Sequence, residues 1–114
     1  MTIGVICASS VADKNRMLYE AVRESVPEAA VINFGCREGE ELYSYIDVSI
    51  MVGMLLSSGS VDFVVTGCSS GQGMMLACNS MPGVLCGYAP APMDAYLFAQ
   101  IYDGTAVSLP LGDD

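Results

Sequence analysis

The sequence contains no histidine, and its five cysteines (Cys7, Cys36, Cys68, Cys78 and Cys86) form no Cys-x-x-Cys pair. A zinc site needs thiolate, imidazole or carboxylate ligands at short spacings, so both absences speak against a bound metal. An odd number of cysteines, mostly in or beside apolar runs, also speaks against a disulfide framework, and most of the thiols read as reduced core residues. Cations are scarce too. Lys14, Arg16, Arg23 and Arg37 stand against 13 acids for a net charge of −9, a balance that repels phosphate backbones and excludes nucleic acid as a partner. No apolar run reaches the roughly 18 residues that cross a bilayer, and Met1 leads into a strand-like segment without a basic n-region. A soluble, cytoplasmic protein with no membrane partner is expected.

What is present points to one compact domain spanning residues 1–114, with 53% hydrophobic and 15% charged residues. Strand-like and helix-like segments alternate along it. Thr2–Cys7 predicts a first strand, and Ala8-Ser9-Ser10 a polar turn that caps a helix over about 12–25, ended by Pro27. Residues 29–34 predict a second strand and 35–39 an acidic loop. A long helix is expected over 40–56, with Tyr45, Val48, Val52 and Leu55 on one face, ended by Ser57-Ser58-Gly59. Further strands are expected at 61–65, 84–88 and 105–109, and a last helix from about Asp94, its cap, to Tyr102. This order predicts an α/β fold: a Rossmann-like, doubly wound, five-stranded parallel sheet with helices on both faces and ligands beyond the carboxyl ends of the strands. The sequence stops at Asp114 just after the fifth strand, so a C-terminal helix is expected to be missing. Either a partner subunit covers that surface or the chain is shorter than the domain it derives from.

The stretch from Val61 to Asn79 organises the rest. An apolar strand runs into Gly67-Cys68-Ser69-Ser70-Gly71-Gln72-Gly73, after which Met74 to Cys78 can begin a helix. Such a loop directs free N–H groups at whatever lies above the sheet, and here it also carries a thiol and two hydroxyls.

Ser58-Gly59-Ser60-Val61-Asp62 followed by Cys68-Ser69-Ser70-Gly71-Gln72-Gly73 resembles the ribose-5-phosphate isomerase B and galactose-6-phosphate isomerase family, which reads Ser-Gly-x-Val-Asp, a short strand, then Cys-Gly-Thr-Gly-x-Gly. The likeness runs from Ile3 to about Leu109 and includes Tyr45-Ile46-Asp47 where the family has Tyr-Pro-Asp. The resemblance implies aldose–ketose isomerisation of a pentose or hexose, phosphorylated in the family, through a cis-enediolate and without metal or cofactor. It places Cys68 as the base and Ser70 at the position of a threonine hydroxyl. Gly71 and Gly73, with Ser69 and Gln72 beside them, form the backbone anion hole, and Tyr45 flanks the sugar. The family's active sites lie between two subunits, so a homodimer or higher homo-oligomer is implied. The apolar positions Ile50, Met51 and Met54 are candidates for that contact.

The departures are equally specific. Where the family has Asp-His after the first strand, a pair that helps open the sugar ring and touches substrate, this chain has Ala8-Ser9, leaving Ser9 as the candidate contact. The Asn-Asp pair before the fifth strand is Tyr102-Asp103, which keeps only Asp103. The family's phosphate-binding arginines lie in a segment that this sequence does not contain. Plainer readings also stand: Cys68 as a small buried strand-end residue, Ser9, Ser10, Ser69 and Ser70 as helix caps, and the methionines as adaptable core packing. Two alternatives to the isomerase follow from the departures, a non-catalytic sugar-phosphate-binding relative and a structural subunit whose site a partner chain completes.

Overall fold

The computed structural model describes residues 1–40, 42–90 and 104–112. Five parallel strands form one sheet in the order β2-β1-β3-β5-β4, with β1 Thr2–Cys7, β2 Ala30–Gly35, β3 Phe63–Cys68, β4 Cys86–Tyr88 and β5 Ala106–Pro110. Helix α1 (Asn15–Ser25) lies on one face, and α2 (Tyr45–Ser57) and α3 (Gln72–Asn79) on the other. The alternation of side chains along each strand builds both layers. Ile3, Val5, Cys7, Phe63, Val65, Val107 and Leu109 pack with Leu18 and Val22 of α1. Ile6, Val64, Cys68 and Ala106 pack with Val48, Val52, Met74 and Cys78 of the other two helices. The doubly wound parallel architecture is therefore the one expected.

Several boundaries move, each for a local reason. The chain enters α1 through a 3-10 segment, Ser9–Lys14, because Val11 is non-helical, and neither Ala8 nor Lys14 offers a capping side chain. The second helix begins at Tyr45 rather than at residue 40. Ser44 caps it: its hydroxyl accepts the Asp47 N–H at 3.2 Å while the Asp47 carboxylate accepts the Ser44 N–H at 3.1 Å. Asp47 is thus a capping residue. The third strand starts late because the Asp62 carboxylate and N–H are engaged by the backbone of Thr2, both at 2.8 Å. It runs on through Gly67 and Cys68, which pair with Leu109 and Pro110 of β5. Gly67 therefore lies inside the ladder, where a β-carbon would come within 2.6 Å of the Leu109 carbonyl oxygen. The helix expected over 94–102 lies outside the described residues.

All five cysteines are buried and free. Burial pushes the Cys7 thiol up to about 11 from 9.0. Cys78 and Cys86 share a thiol hydrogen bond between α3 and β4, which lowers the first and raises the second.

Candidate active site

The strand order reverses direction between β1 and β3, since the connection from β1 leads to β2 on one side and the next strand, β3, is laid down on the other. Their carboxyl ends are adjacent: the Ala8 N–H donates to the Gly67 carbonyl at 3.1 Å. A crevice at such a reversal is where open α/β sheets hold ligands. The turns after β1 and β3 and the segment leading into α2 all meet there.

The turn after β3 is shaped from beneath by β5. The Leu111 N–H donates to the Cys68 carbonyl at 2.9 Å, and the Gly112 N–H to that of Ser69 at 3.1 Å. Gly71 has φ +77°, and a β-carbon on it would lie 2.7–2.9 Å from the Leu109 and Pro110 backbone, so only glycine fits. Its carbonyl accepts the buried Ser108 hydroxyl at 2.7 Å and, as the first bond of α3, the Met75 N–H at 3.2 Å. Ser69 and Ser70 are exposed on top, and Ser70 Oγ accepts the Gln72 N–H at 3.2 Å. Ser70 therefore satisfies a first-turn donor, although the N-cap position itself is Gly71. Cys68, 7% exposed, sits at the base of this turn among the apolar side chains of α2 and α3.

The turn after β1 is held differently. Ser9 Oγ donates to the Tyr43 carbonyl at 2.9 Å and accepts the Tyr43 N–H, while the Ser9 N–H donates to the same carbonyl at 3.0 Å. Ser9 is thus a tie between β1 and the entrance to α2 rather than a helix cap. A cavity of about 520 Å³ opens beside it, lined among others by Ala8, Ser10, Leu42, Tyr45 and Asp47. Its lining contains no cation; Arg37, paired with Glu40, lines a neighbouring cavity of about 340 Å³ that shares Ser9 and Leu42 with it, and Arg23 pairs with Glu20 on α1. Behind this turn the buried Asn15 side chain donates to the Gly35 carbonyl at 2.9 Å and accepts from Asn33 at 2.7 Å, locking α1 to β2.

Cys68 to Gly73 are therefore contiguous, running from the last residue of β3 through the turn Ser69-Ser70-Gly71 into the first two residues of α3. Tyr45 is brought to it, since a β-carbon on Gly73 would lie 3.5 Å from its ring. Ser9 shares the adjoining cavity with Tyr45. Asp103 lies outside the described residues. Sequence reasoning missed Ser108, Tyr43 and Asn15. Ser108 was visible as a polar residue within an otherwise apolar run, whereas Asn15 was hidden in the polar stretch Asp13-Lys14-Asn15-Arg16 and Tyr43 ties Ser9 through its backbone, which leaves no side-chain signal.

A family model described as Ribose/Galactose Isomerase matches residues 3–112. A sequence comparison with curated proteins gave no match. Among solved structures, a 4-deoxy-L-threo-5-hexosulose-uronate ketol-isomerase complexed with a tartrate is 44% identical with a TM-score of 0.89, over 98% of this chain and 55% of its own. The ribose-5-phosphate isomerase of Vibrio parahaemolyticus is 42% identical with a TM-score of 0.89, over 98% of this chain and 54% of its own. Ribose-5-phosphate isomerase B of Clostridium thermocellum, at 23% identity and a TM-score of 0.78 over 98% of this chain and 75% of its own, shares the fold. The chain spans about half the length of the first two of these relatives. With the model matched over nearly all of its residues, the chain belongs to the Ribose/Galactose Isomerase family.

Proposed function

We propose that this domain carries the proton-transfer centre of an aldose–ketose isomerase acting on an open-chain pentose or hexose or its phosphate. The observation that carries this reading is the position of Cys68, at the carboxyl end of β3, at the strand-order reversal, opening a turn whose shape β5 enforces. The Cys68 thiolate removes the proton from C2 of the aldose, and the electrons pass to the C1 carbonyl oxygen to give a cis-enediolate. Return of the proton at C1, with transfer of the O2 hydroxyl proton to O1, yields the ketose. Nothing is oxidised or reduced overall, so the step needs no redox cofactor. Ser70 and the backbone N–H groups at the start of α3 bind the enediolate oxygens, and Ser9 and Tyr45 hold the rest of the sugar.

Cys68→Ala tests this directly. Turnover of the accepted sugar should fall about a thousandfold, together with exchange of the C2 proton in deuterated water. Unchanged turnover would remove Cys68 from the mechanism.

One observation favours a narrower substrate. The family's ring-opening pair is replaced by Ala8-Ser9, Ala8 is buried, and Ser9 is tied to Tyr43. The substrate named for the 44%-identical relative, a 4-deoxy-5-hexosulose uronate, has no C4 hydroxyl and a ketone at C5, so it closes a ring on C1 only after that ketone is hydrated, and its open-chain form suits a site without the ring-opening pair. Its carboxylate bears a single charge, which suits a cavity without cations better than a phosphate dianion does. Turnover of this keto-uronate well above that of ribose 5-phosphate or galactose 6-phosphate would support the narrower reading, and the reverse order would remove it.

A second copy of the chain is the partner we infer for the outer faces of α2 and α3. Ile46, Ile50, Met54 and Leu76 are exposed there, beside a groove of about 370 Å³ lined in part by Tyr45, Gly73 and Met81. Met51, expected on that face, is half-buried and packs on the core instead. No helix among the described residues is long and apolar enough to cross a membrane. Five free thiols suit a reducing compartment, which supports a cytoplasmic location.

A further inference from the structure

We infer that Ser108, in the interior of β5, is a positioning residue that aims the glycine-rich turn, an assignment that rests on the isomerase reading above. Ser108 is fully buried, and its hydroxyl donates at 2.7 Å to the carbonyl of Gly71, which is 37 positions away in sequence. That carbonyl already accepts the Met75 N–H, the first bond of α3, so Ser108 reinforces the helix at its opening residue. A trans peptide is planar, with its C=O and N–H pointing in opposite directions. Pinning the Gly71 oxygen toward β5 therefore holds the Gln72 N–H on the opposite side, where it donates to Ser70 Oγ at 3.2 Å. One buried hydroxyl thus reaches the exposed Ser70 through a single rigid peptide. The register fits this role, because Ser108 pairs with Thr66, two residues before Cys68 and on the same face of the sheet. The backbone ties from Leu111 and Gly112 to Cys68 and Ser69 fix the first half of the turn, and Ser108 adds the side-chain hydrogen bond from β5 to the second.

A catalytic group misplaced by about an ångström loses rate while substrate binding persists. Ser108→Ala should therefore lower kcat about tenfold with KM within about twofold of the parent. Ser108→Thr, which keeps the donor, should recover most of that loss. The independent readout is backbone amide exchange, followed by mass spectrometry on the whole chain. In Ser108→Ala, protection over 70–75 should fall well below that of the parent, while protection of β1 and of α1 stays as it was.

Unchanged exchange over 70–75 would overturn the assignment whatever the kinetics show. Faster exchange with unchanged kcat would overturn the positioning role. Exchange that rises equally throughout the chain would do the same, since it would mark a purely global stabilising bond. If the unsubstituted chain turns over none of the keto-uronate, ribose 5-phosphate and galactose 6-phosphate, the isomerase reading fails, and the exchange comparison still decides whether Ser108 holds the turn.

Discussion

The two turns at the mouth of the crevice are built by opposite means. After β3, backbone shapes backbone: amides of Leu111 and Gly112 bind the carbonyls of Cys68 and Ser69, and Gly71 rests directly against Leu109 and Pro110. After β1, one residue, Ser9, ties the turn to Tyr43, its hydroxyl making two of the three bonds and its backbone N–H the third. Proton transfer tolerates little misplacement, so a turn proposed to carry the base gains from a support made mostly of backbone, with the buried Ser108 hydroxyl beneath it. A region that grips the variable part of a substrate gains from contacts that one substitution can remodel. The departures from the family pattern fall where this division puts them. The Cys-x-x-Gly-x-Gly spacing is present, whereas Ala8-Ser9 stands where the resemblance leads one to expect Asp-His.

The largest expected effect tests the rigidity of the first turn. Gly71→Ala combines a left-handed backbone with a β-carbon 2.7 Å from the Leu109 carbonyl carbon, and neither backbone can move without disturbing the sheet. It should cost about 3 kcal/mol or more in urea denaturation and abolish isomerase activity. Gly59→Ala is the comparison, because Gly59 has φ +76° with nothing within 4 Å of the added carbon. It should cost only the conformational penalty, about 1 kcal/mol. Equal losses at the two sites would mean that β5 does not clamp the turn.

The second turn should yield more easily and selectively. Ser9→Ala leaves the Tyr43 N–H without its hydroxyl acceptor and should cost about 1–2 kcal/mol, raising KM more than it lowers kcat. Ser10→Ala, at an exposed position, should stay within about 0.5 kcal/mol of the parent. A kcat effect at Ser9 as large as its KM effect would erase the division between a proton-transfer half and a substrate-holding half.

Much of this was legible in the residues. Short, nearly continuous apolar runs marked all five strands, and the loop chemistry from Cys68 to Gly73 stood out as thiol, hydroxyls and glycines at fixed spacing. What stayed hidden depends on partners distant in sequence. Residues 40–44 carry helix-forming glutamates and a leucine, but the reciprocal bonds of Ser44 and Asp47 delay the helix to Tyr45. Gly67 looked like a strand end until its pairing with Leu109 placed it inside the ladder. Ser9 has the composition of a cap, and only the return of the chain at Tyr43 gives it another task.

The smallest expected effect separates two hydroxyls that face each other in register. Thr66 and Ser108 are paired across β3 and β5, and both are fully buried. Ser108 bonds Gly71, whereas Thr66 Oγ1 is the buried side-chain polar atom that has no partner among the described residues. A buried hydroxyl without a partner has lost its water and gained nothing in exchange. Thr66→Val keeps the branched shape that a strand favours and removes only that unpaired oxygen. It should leave stability unchanged or raise it by about 1 kcal/mol in urea denaturation, with activity retained. A loss of stability would show that Thr66 supports the turn as well, and the clamp beneath Cys68 would then have two hydroxyls rather than one. A gain would confine the polar side-chain support of the turn to β5 and leave β3 to present Cys68, the proposed base, from an otherwise apolar floor.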